Sequence, residues 1–542
     1  VSIAHENSLF PSIHSFVRRV ARIYSPGQQI GPYRYYHDSP AECGSFIFIC
    51  KKASLSTNDN PKAPSLPSVV STDMKNEPWL GDACSLVDAF RAGAREPSEV
   101  LEATISALDD SSLNATSHID VEAARMAAAS ADVSLPFGGV PIAIKELESV
   151  AGWPSTEASL VFRDRVARHD STQVTRLRAA GAVIAAQTTA SEFGGINCTN
   201  TKLHGTTRNP WNLAKTPGGS SGGSAAVVAG GLIPIASGGD GGGSIRIPAG
   251  FTGLFGLKST FGRIPKGPHA HQPPLTVTVG CLSRSVRDTA RWFDVCNGFD
   301  PRDTLSLPRV SGWEAGLDSF DLAGKRAVIS IDLGAAIVEP RQTELLISLS
   351  EVLIKNAKLR RVDLALRFPN GGLEWSLSNL IGLAGTLGDR YPACHDDLTS
   401  EIQLGMTMAT KMFSLESAGA AEMFRIEMNE YMAGVFEQTD FIFAASNPDV
   451  AFAAEGPMAT TVGGVDLIAE YGFNRAIGNN GALTIPANLT GNPAISIPAG
   501  QIDGLPFGLQ VIGRHHEEQL LLDLARVAER ENPWLLVAPP LS

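Results

Sequence analysis

The stretch from Pro217 to Gly250, PGGSSGGSAAVVAGGLIPIASGGDGGGSIRIPAG, constrains this chain more than any other feature. It carries two serine-bearing glycine loops, Gly218-Gly219-Ser220-Ser221-Gly222-Gly223-Ser224 and Gly241-Gly242-Gly243-Ser244, separated by the small apolar run Ala225 to Ala236. Glycine lacks a Cβ, so such loops reach φ > 0 and let successive backbone N–H groups converge on an anion. A serine closing such a loop has oxyanion donors beside it. Acyl transfer needs both parts: a hydroxyl to attack a carbonyl, and fixed dipoles where negative charge then develops.

Other readings of these glycines compete with that one. A phosphate-binding P-loop requires G-x-x-x-x-G-K-[ST], and no lysine follows the glycines in either loop. Gly218-Gly219-Ser220-Ser221-Gly222 matches the G-x-S-x-G nucleophile elbow, but an elbow follows a buried strand. Here Asn209 to Pro217 is a polar loop punctuated by prolines. Simple turns are the bland alternative, yet five glycines between Gly238 and Gly243, with Asp240 among them, exceed what a turn uses.

At 542 residues, 43% hydrophobic and 18% charged, the chain can bury a large core. Length alone sets an expectation of about two to four domains. A formal net charge of −12, with no offsetting Lys/Arg stripe, argues against a nucleic-acid surface. The seven cysteines are odd in number and form no C-x-x-C pair, which predicts reduced thiols, no zinc site and a cytoplasmic protein. The longest uncharged run, Thr216 to Gly239, is too glycine-rich for a membrane span.

Residues 1–75 differ from the rest, mixing Ser, Pro, Tyr and Asn with the basic patch Arg18-Arg19-Val20-Ala21-Arg22. Phe46-Ile47-Phe48-Ile49-Cys50 is too short and too far in for a signal sequence, and Glu6, Asp38 and Glu42 count against a transit peptide. The first methionine is Met74. The expectation is a poorly ordered or dispensable extension, with the folded domain spanning 78–542.

From Ser85 the periodicity is helical, with a stop at Gly93, a second helix from Pro97 to Leu108 and an alanine-rich third from Val121 to Ala131. Phe137 to Glu146 reads as a short apolar strand ending on Lys145. A helix from Thr172 to Ala180, then Gly181 and the strand Ala182 to Ala186, make an α/β pair of the kind that builds layered sheets. Lys145 either points into water, as most lysines do, or faces the glycine loops. In the second case burial lowers its pKa and frees an amine to act as base. Moving a lysine from ~10.4 to near 7 means about 4 to 5 kcal/mol of disfavoured charge.

With these blocks in view, the chain resembles the amidase signature family of serine hydrolases. The glycine- and serine-rich signature is matched from Gly218 to Ala249, and its G-x-P-x-x-x-K block by Gly139 to Lys145. The likeness continues through Thr207 to Asn212, Gly256 to Arg263, Pro486 to Ala494 and Gly504 to Gly513, covering about Ser85 to Trp534. It implies an α/β fold, a mixed sheet wrapped by helices in a single large domain. It also implies a Ser-Ser-Lys triad: Ser244 as nucleophile, Ser220 as bridging serine held by a cis peptide, and Lys145 as general base. The backbone N–H groups of Gly241, Gly242, Gly243 and Ser244 would form the oxyanion hole. Neutral Lys145 would take a proton from Ser220, which takes one from Ser244, and the relay would return it to the leaving nitrogen. Asp240 and Arg246 are expected to brace the loop by charge-assisted hydrogen bonds, the alternative being two ordinary surface charges.

The chain departs from the family pattern at Gly239, where threonine is usual, at Glu146 for aspartate, at Ser259 for proline, and at Ala186 to Thr189. Gly239 is expected to loosen the oxyanion loop. Between Asp300 and Ala482 the matches thin, leaving a strand at Arg326 to Ser330, a helix at Thr343 to Asn356, and a methionine-bearing region from Met406 to Met432. Met and Phe there read as core more readily than as pocket. The closing helix runs from Glu517 to Arg530, after the solvated His515 and His516. The expected activity is cleavage of a small carboxylic acid amide through a serine acyl-enzyme, with no cofactor and no metal. Its partner would be the small-molecule amide, with no nucleic acid and no membrane, in a chain compatible with a homodimer. Two alternatives stand beside it: the catalytic subunit of a tRNA-dependent glutamine amidotransferase, and a weakly active or inactive binding protein on the same scaffold.

Overall fold

The computed structural model describes residues 77–268 and 274–540, so the extension expected over 1–75 lies outside the described residues. At its centre is an 11-stranded mixed sheet. In chain order the strands are β1 (Thr116–His118), β2 (Pro141–Lys145), β3 (Val183–Thr188), β4 (Ile235–Asp240), β5 (Phe255–Lys258) and β6 (Thr278–Ser283), then β7 (Arg326–Ile329), β8 (Arg360–Arg361), β9 (Phe441–Ala445), β10 (Ala494–Ile502) and β11 (Leu505–Gly513). Across the sheet they lie β1-β3-β2-β4-β6-β5-β10-β11-β9-β7-β8. β2 is parallel to β3 and β4, the central strands from β4 to β9 pair antiparallel, and β9, β7 and β8 return to parallel pairing.

β2 (PIAIK) and β3 (VIAAQT) are buried at every residue, as continuous apolar runs must be when both faces of a sheet are covered. The two-residue alternation of a strand then divides their side chains between two cores. Ile142, Ile144, Ile184 and Ile235 join one, with Phe255, Trp292, Phe293, Phe441, Phe443 and Phe507. Ala143, Val183, Ala185 and Ala236 face the other. This second core is largely alanine, so the helix Gly222–Ala229, buried at every residue, can lie close against β2, β3, β4 and β6. The helices Val286–Cys296 and Glu518–Glu531 pack on the aromatic side. The α/β fold with helices around a mixed sheet is therefore what the sequence led one to expect.

Element boundaries have local causes. Ser171 caps the helix Thr172–Ala179 by accepting from the Val174 N–H, and Gly181 at φ +84 turns the chain into β3. The strand expected from Phe137 starts only at Pro141, because Val140 N–H turns back to the Phe137 carbonyl. In the poorly matched region, the helix Pro340–Asn356 opens on a proline capped by Glu339, three residues before the expected Thr343. The helix Gly372–Leu387 was not anticipated. The methionine-bearing region forms the helices Ser400–Met412 and Leu415–Gln438. Met406, Met428 and Met432 are core, the commoner expectation for that region, whereas Met408 and Met412 line a cavity. Among the described residues, no helix is long and apolar enough to cross a membrane.

Candidate active site

β2 and β4 run parallel, β2 ending on Lys145 and β4 continuing to Asp240, at the strand ends where open α/β sheets bind ligands. Alternation puts Lys145 on the same face as Ala143, the face covered by the helix Gly222–Ala229. The Ser220-Ser221 pair, just before that helix, meets the lysine there. Lys145 Nζ donates to Ser220 Oγ at 2.7 Å and to Ser221 Oγ at 2.9 Å, and its backbone N–H donates to Ser237 Oγ at 2.8 Å. The lysine is only 4% exposed. Burial pushes its pKa down to about 7, against the opposing pull of Asp240, Glu148 and Glu157. The peptide bond between Gly219 and Ser220 is cis.

The second glycine loop closes over the end of β4. Gly243 sits at φ +123, and a Cβ there would lie 2.5 Å from Thr484 Oγ1, so both conformation and space call for glycine. Ser244 shares with Lys145 and Ser220 the lining of one cavity of about 1770 Å³, together with Gly241 and Gly242. Gly243 does not fit the expected set of oxyanion donors. Its N–H already donates to Asp240 Oδ1 at 2.8 Å, which corrects that expectation. Among the described residues, the N–H groups of Gly241, Gly242 and Ser244 have no acceptor within the protein.

Asp240 and Arg246 are both 0% exposed, so they are not surface charges. Arg246 Nε and Nη2 donate to the two Asp240 oxygens at 3.0 and 2.9 Å. Burial alone would raise the Asp240 pKa, but the charge and hydrogen bonds of Arg246, with Lys258 and Asn488, hold it well below the usual carboxylate range. Arg246 also donates to Gln510 Oε1 at 2.5 Å and Asn488 Oδ1 at 2.6 Å, while Asn488 Nδ2 returns to Asp240 Oδ1 at 2.9 Å. Gly239 is less free than its lack of a side chain suggests: it pairs with Val279 in the β4–β6 ladder and contacts Ser221 Oγ through both N–H and C=O. Glu146 is buried against Thr156, and its Oε1 lies 2.8 Å from His204 Nε2.

Roles for Ser221, Ser237, Asn488, Gln510 and Thr484 were not foreseen. All five lie inside blocks that the sequence flags or directly beside them, but only their contacts distinguish them from neighbouring small polar residues. Among the described residues, no group of three or more His, Cys, Asp or Glu is arranged to hold a metal ion. The described cysteines, Cys84, Cys198, Cys281, Cys296 and Cys394, are buried and free.

The Amidase family profile matches residues 99–366 and 383–522. The chain belongs to the amidase signature family. By class it is therefore an enzyme of carbon–nitrogen amide bonds. It is 32% identical over 487 residues to the A subunit of the glutamyl-tRNA(Gln) amidotransferase of Lactobacillus delbrueckii subsp. bulgaricus, covering 84% of this chain and 97% of that one. Among solved structures it is similar to a bacterial aryl acylamidase of the same family (TM-score 0.78, 27% identity, 85% of this chain and 99% of that one). It is also similar to a 6-aminohexanoate cyclic dimer hydrolase complexed with substrate (TM-score 0.74, 27% identity, 85% and 98% covered). This amidase signature chain thus has relatives of more than one activity on one scaffold.

Proposed function

We propose that this protein is an amidohydrolase that cleaves a carboxylic acid amide with a large apolar part, using Ser244 as nucleophile, Ser220 as relay and Lys145 as base. The observation that carries the reading is the buried Lys145 amine, its pKa lowered to about 7, 2.7 Å from Ser220 Oγ in the cavity that Ser244 also lines. Ser244 Oγ attacks the carbonyl carbon while its proton passes to Ser220 and the Ser220 proton passes to Lys145. The tetrahedral oxyanion is held by the N–H groups of Gly241, Gly242 and Ser244. As the carbon–nitrogen bond breaks, the proton returns by the same route to the departing nitrogen, leaving an ester on Ser244. Water, deprotonated by the same relay, then releases the acid.

The apolar part of the substrate is argued from the cavity wall. Leu373, Trp375, Leu380, Leu383, Met408 and Met412 line it, and its volume of about 1770 Å³ exceeds the few hundred to ~1,000 Å³ of an ordinary ligand pocket. A cytoplasmic setting fits the free, buried thiols of the five described cysteines.

A second reading is favoured by a specific finding. The Lactobacillus relative and others between 30 and 33% identical are named as the A subunit of glutamyl-tRNA(Gln) amidotransferase, and they cover 80 to 85% of this chain. On that reading the same triad hydrolyses glutamine and passes ammonia to a partner protein. The relatives' names support this second reading more strongly; the apolar wall supports the first.

One experiment separates them. The purified full chain is labelled with a fluorophosphonate, the modified peptide is located, and turnover is measured on glutamine and on aliphatic and aryl amides. Modification of Ser244 with turnover of apolar amides by the chain alone supports the first reading. Glutaminase activity that needs a copurifying partner supports the second. Labelling at any other residue overturns the triad in both.

A further inference from the structure

The nucleophile loop is tied down peptide by peptide, and one tie comes from outside the recognisable family blocks. Trp375, on the helix Gly372–Leu387, donates from Nε1 to the Gly241 carbonyl at 2.7 Å. Thr484 Oγ1 donates to the next carbonyl, Gly242 O, at 2.6 Å. A peptide group is planar, and the bond between Gly241 and Gly242 is not among the cis peptides. Holding the Gly241 C=O toward the indole therefore turns the Gly242 N–H to the opposite side, away from Trp375. That N–H has no acceptor within the protein among the described residues, whereas the next one, on Gly243, is occupied by Asp240. The indole also lies against Gly242 itself, where an added Cβ would come within 2.6 Å of Trp375 Cζ2.

We infer that Trp375 is a positioning residue for the oxyanion site: its indole N–H, by holding the Gly241 carbonyl, aims the Gly242 N–H at the substrate oxygen that becomes negative. The inference rests on the reading of Ser244 as nucleophile. Trp375 touches the peptide that touches the oxyanion, so it acts through Gly242. A donor on the carbonyl side of a peptide also polarises it and strengthens the N–H at its other end. Loss of one oxyanion donor costs about 10²- to 10³-fold in rate, so a donor left in place but no longer aimed is expected to cost about 10- to 100-fold.

The test uses the full chain and a fluorophosphonate, whose phosphorus–fluorine bond breaks as Ser244 Oγ bonds to phosphorus, so no natural substrate is needed. Trp375→Phe keeps an aromatic ring and loses the donor. The expected result is a fall in the maximal inactivation rate of about tenfold or more, with the half-saturating probe concentration changed by less than about threefold. Its acid limb near pH 7 stays where it was, because the lysine is untouched. Trp375→Leu, which removes both ring and donor, is expected to give the same fall, and Trp375→His, which keeps a ring N–H, a smaller one; this pair decides the matter if Trp375→Phe fails to fold. Two outcomes overturn the inference while the triad stands: a maximal rate within twofold of the parent, or a change confined to the half-saturating concentration, which marks a mere wall. If the parent itself is not modified at Ser244, the triad is wrong and the inference falls with it.

Discussion

The floor of the cavity and its roof are built on opposite terms. The floor, around β4 and the loop after it, is polar and sealed: Asp240, Arg246, Asn488 and Gln510 are all 0% exposed and bonded to one another. The roof, formed by the helices Gly372–Leu387 and Ser400–Met412, is apolar and open. Leu373, Leu404 and Met412 line the cavity there and are exposed. A buried ion pair is costly to desolvate and is tolerated only when every oxygen and nitrogen is satisfied, so the floor can hold one geometry. An apolar wall has no directional bonds to satisfy, and it can change residue by residue. On the proposed reading, the chemistry belongs to the floor and the choice of substrate to the roof.

The largest expected effects lie on the floor. Ser244→Ala and Lys145→Ala are each expected to lower turnover by on the order of 10⁴- to 10⁶-fold with an unchanged far-UV spectrum, since members of such a triad act as a unit. Turnover in either variant within tenfold of the parent would break the assignment. Next, Arg246→Met leaves the Asp240 carboxylate buried without its partner, and denaturant unfolding is expected to show a loss of about 3 to 5 kcal/mol. A loss below about 1 kcal/mol would mean that the floor is no more specified than the roof.

A pH effect follows from the lysine. Lys145 must be neutral to accept a proton, so turnover is expected to fall about tenfold per pH unit below about 7 and to level off above it. The stability term has a defined sign. Between about 7 and 10.5 the unfolded chain holds the Lys145 proton and the folded chain does not, so folding stability from this group rises with pH across that window. The smallest effect belongs to the roof: Met408→Ala is expected to raise KM for apolar amides about three- to tenfold and to shift stability by less than about 2 kcal/mol. An equal loss of kcat on every amide, large or small, would erase the distinction between roof and floor.

The same division explains what could be read from sequence. The floor was legible because its residue types are forced: glycine where a Cβ would strike Thr484 or Trp375, alanine where the helix Gly222–Ala229 presses on the sheet, and a lysine at a strand end. Asp240 and Arg246 were legible as a pair for the same reason. What failed there was the assignment of N–H groups, since no pattern of letters tells that Asp240 claims the Gly243 amide. The roof was poorly legible. The helix Gly372–Leu387 (GLEWSLSNLIGLAGTL) has apolar residues on several faces and three glycines, so neither its existence nor the inward turn of Trp375 follows from periodicity. Met406 and Met408 are two residues apart, yet one is core and the other lines the cavity.

Catalysis on these terms depends on an amine that is uncharged near neutrality because it is buried. Titrating the lysine side chains by NMR measures this directly, with Lys145→Met to assign the signal, because the equally buried Lys258 is also lowered to about 7. The predicted result is a midpoint of about 7 for the resonance lost in Lys145→Met. A midpoint near the ordinary 10.5 would contradict the mechanism, since a charged ammonium cannot take the proton that starts the reaction.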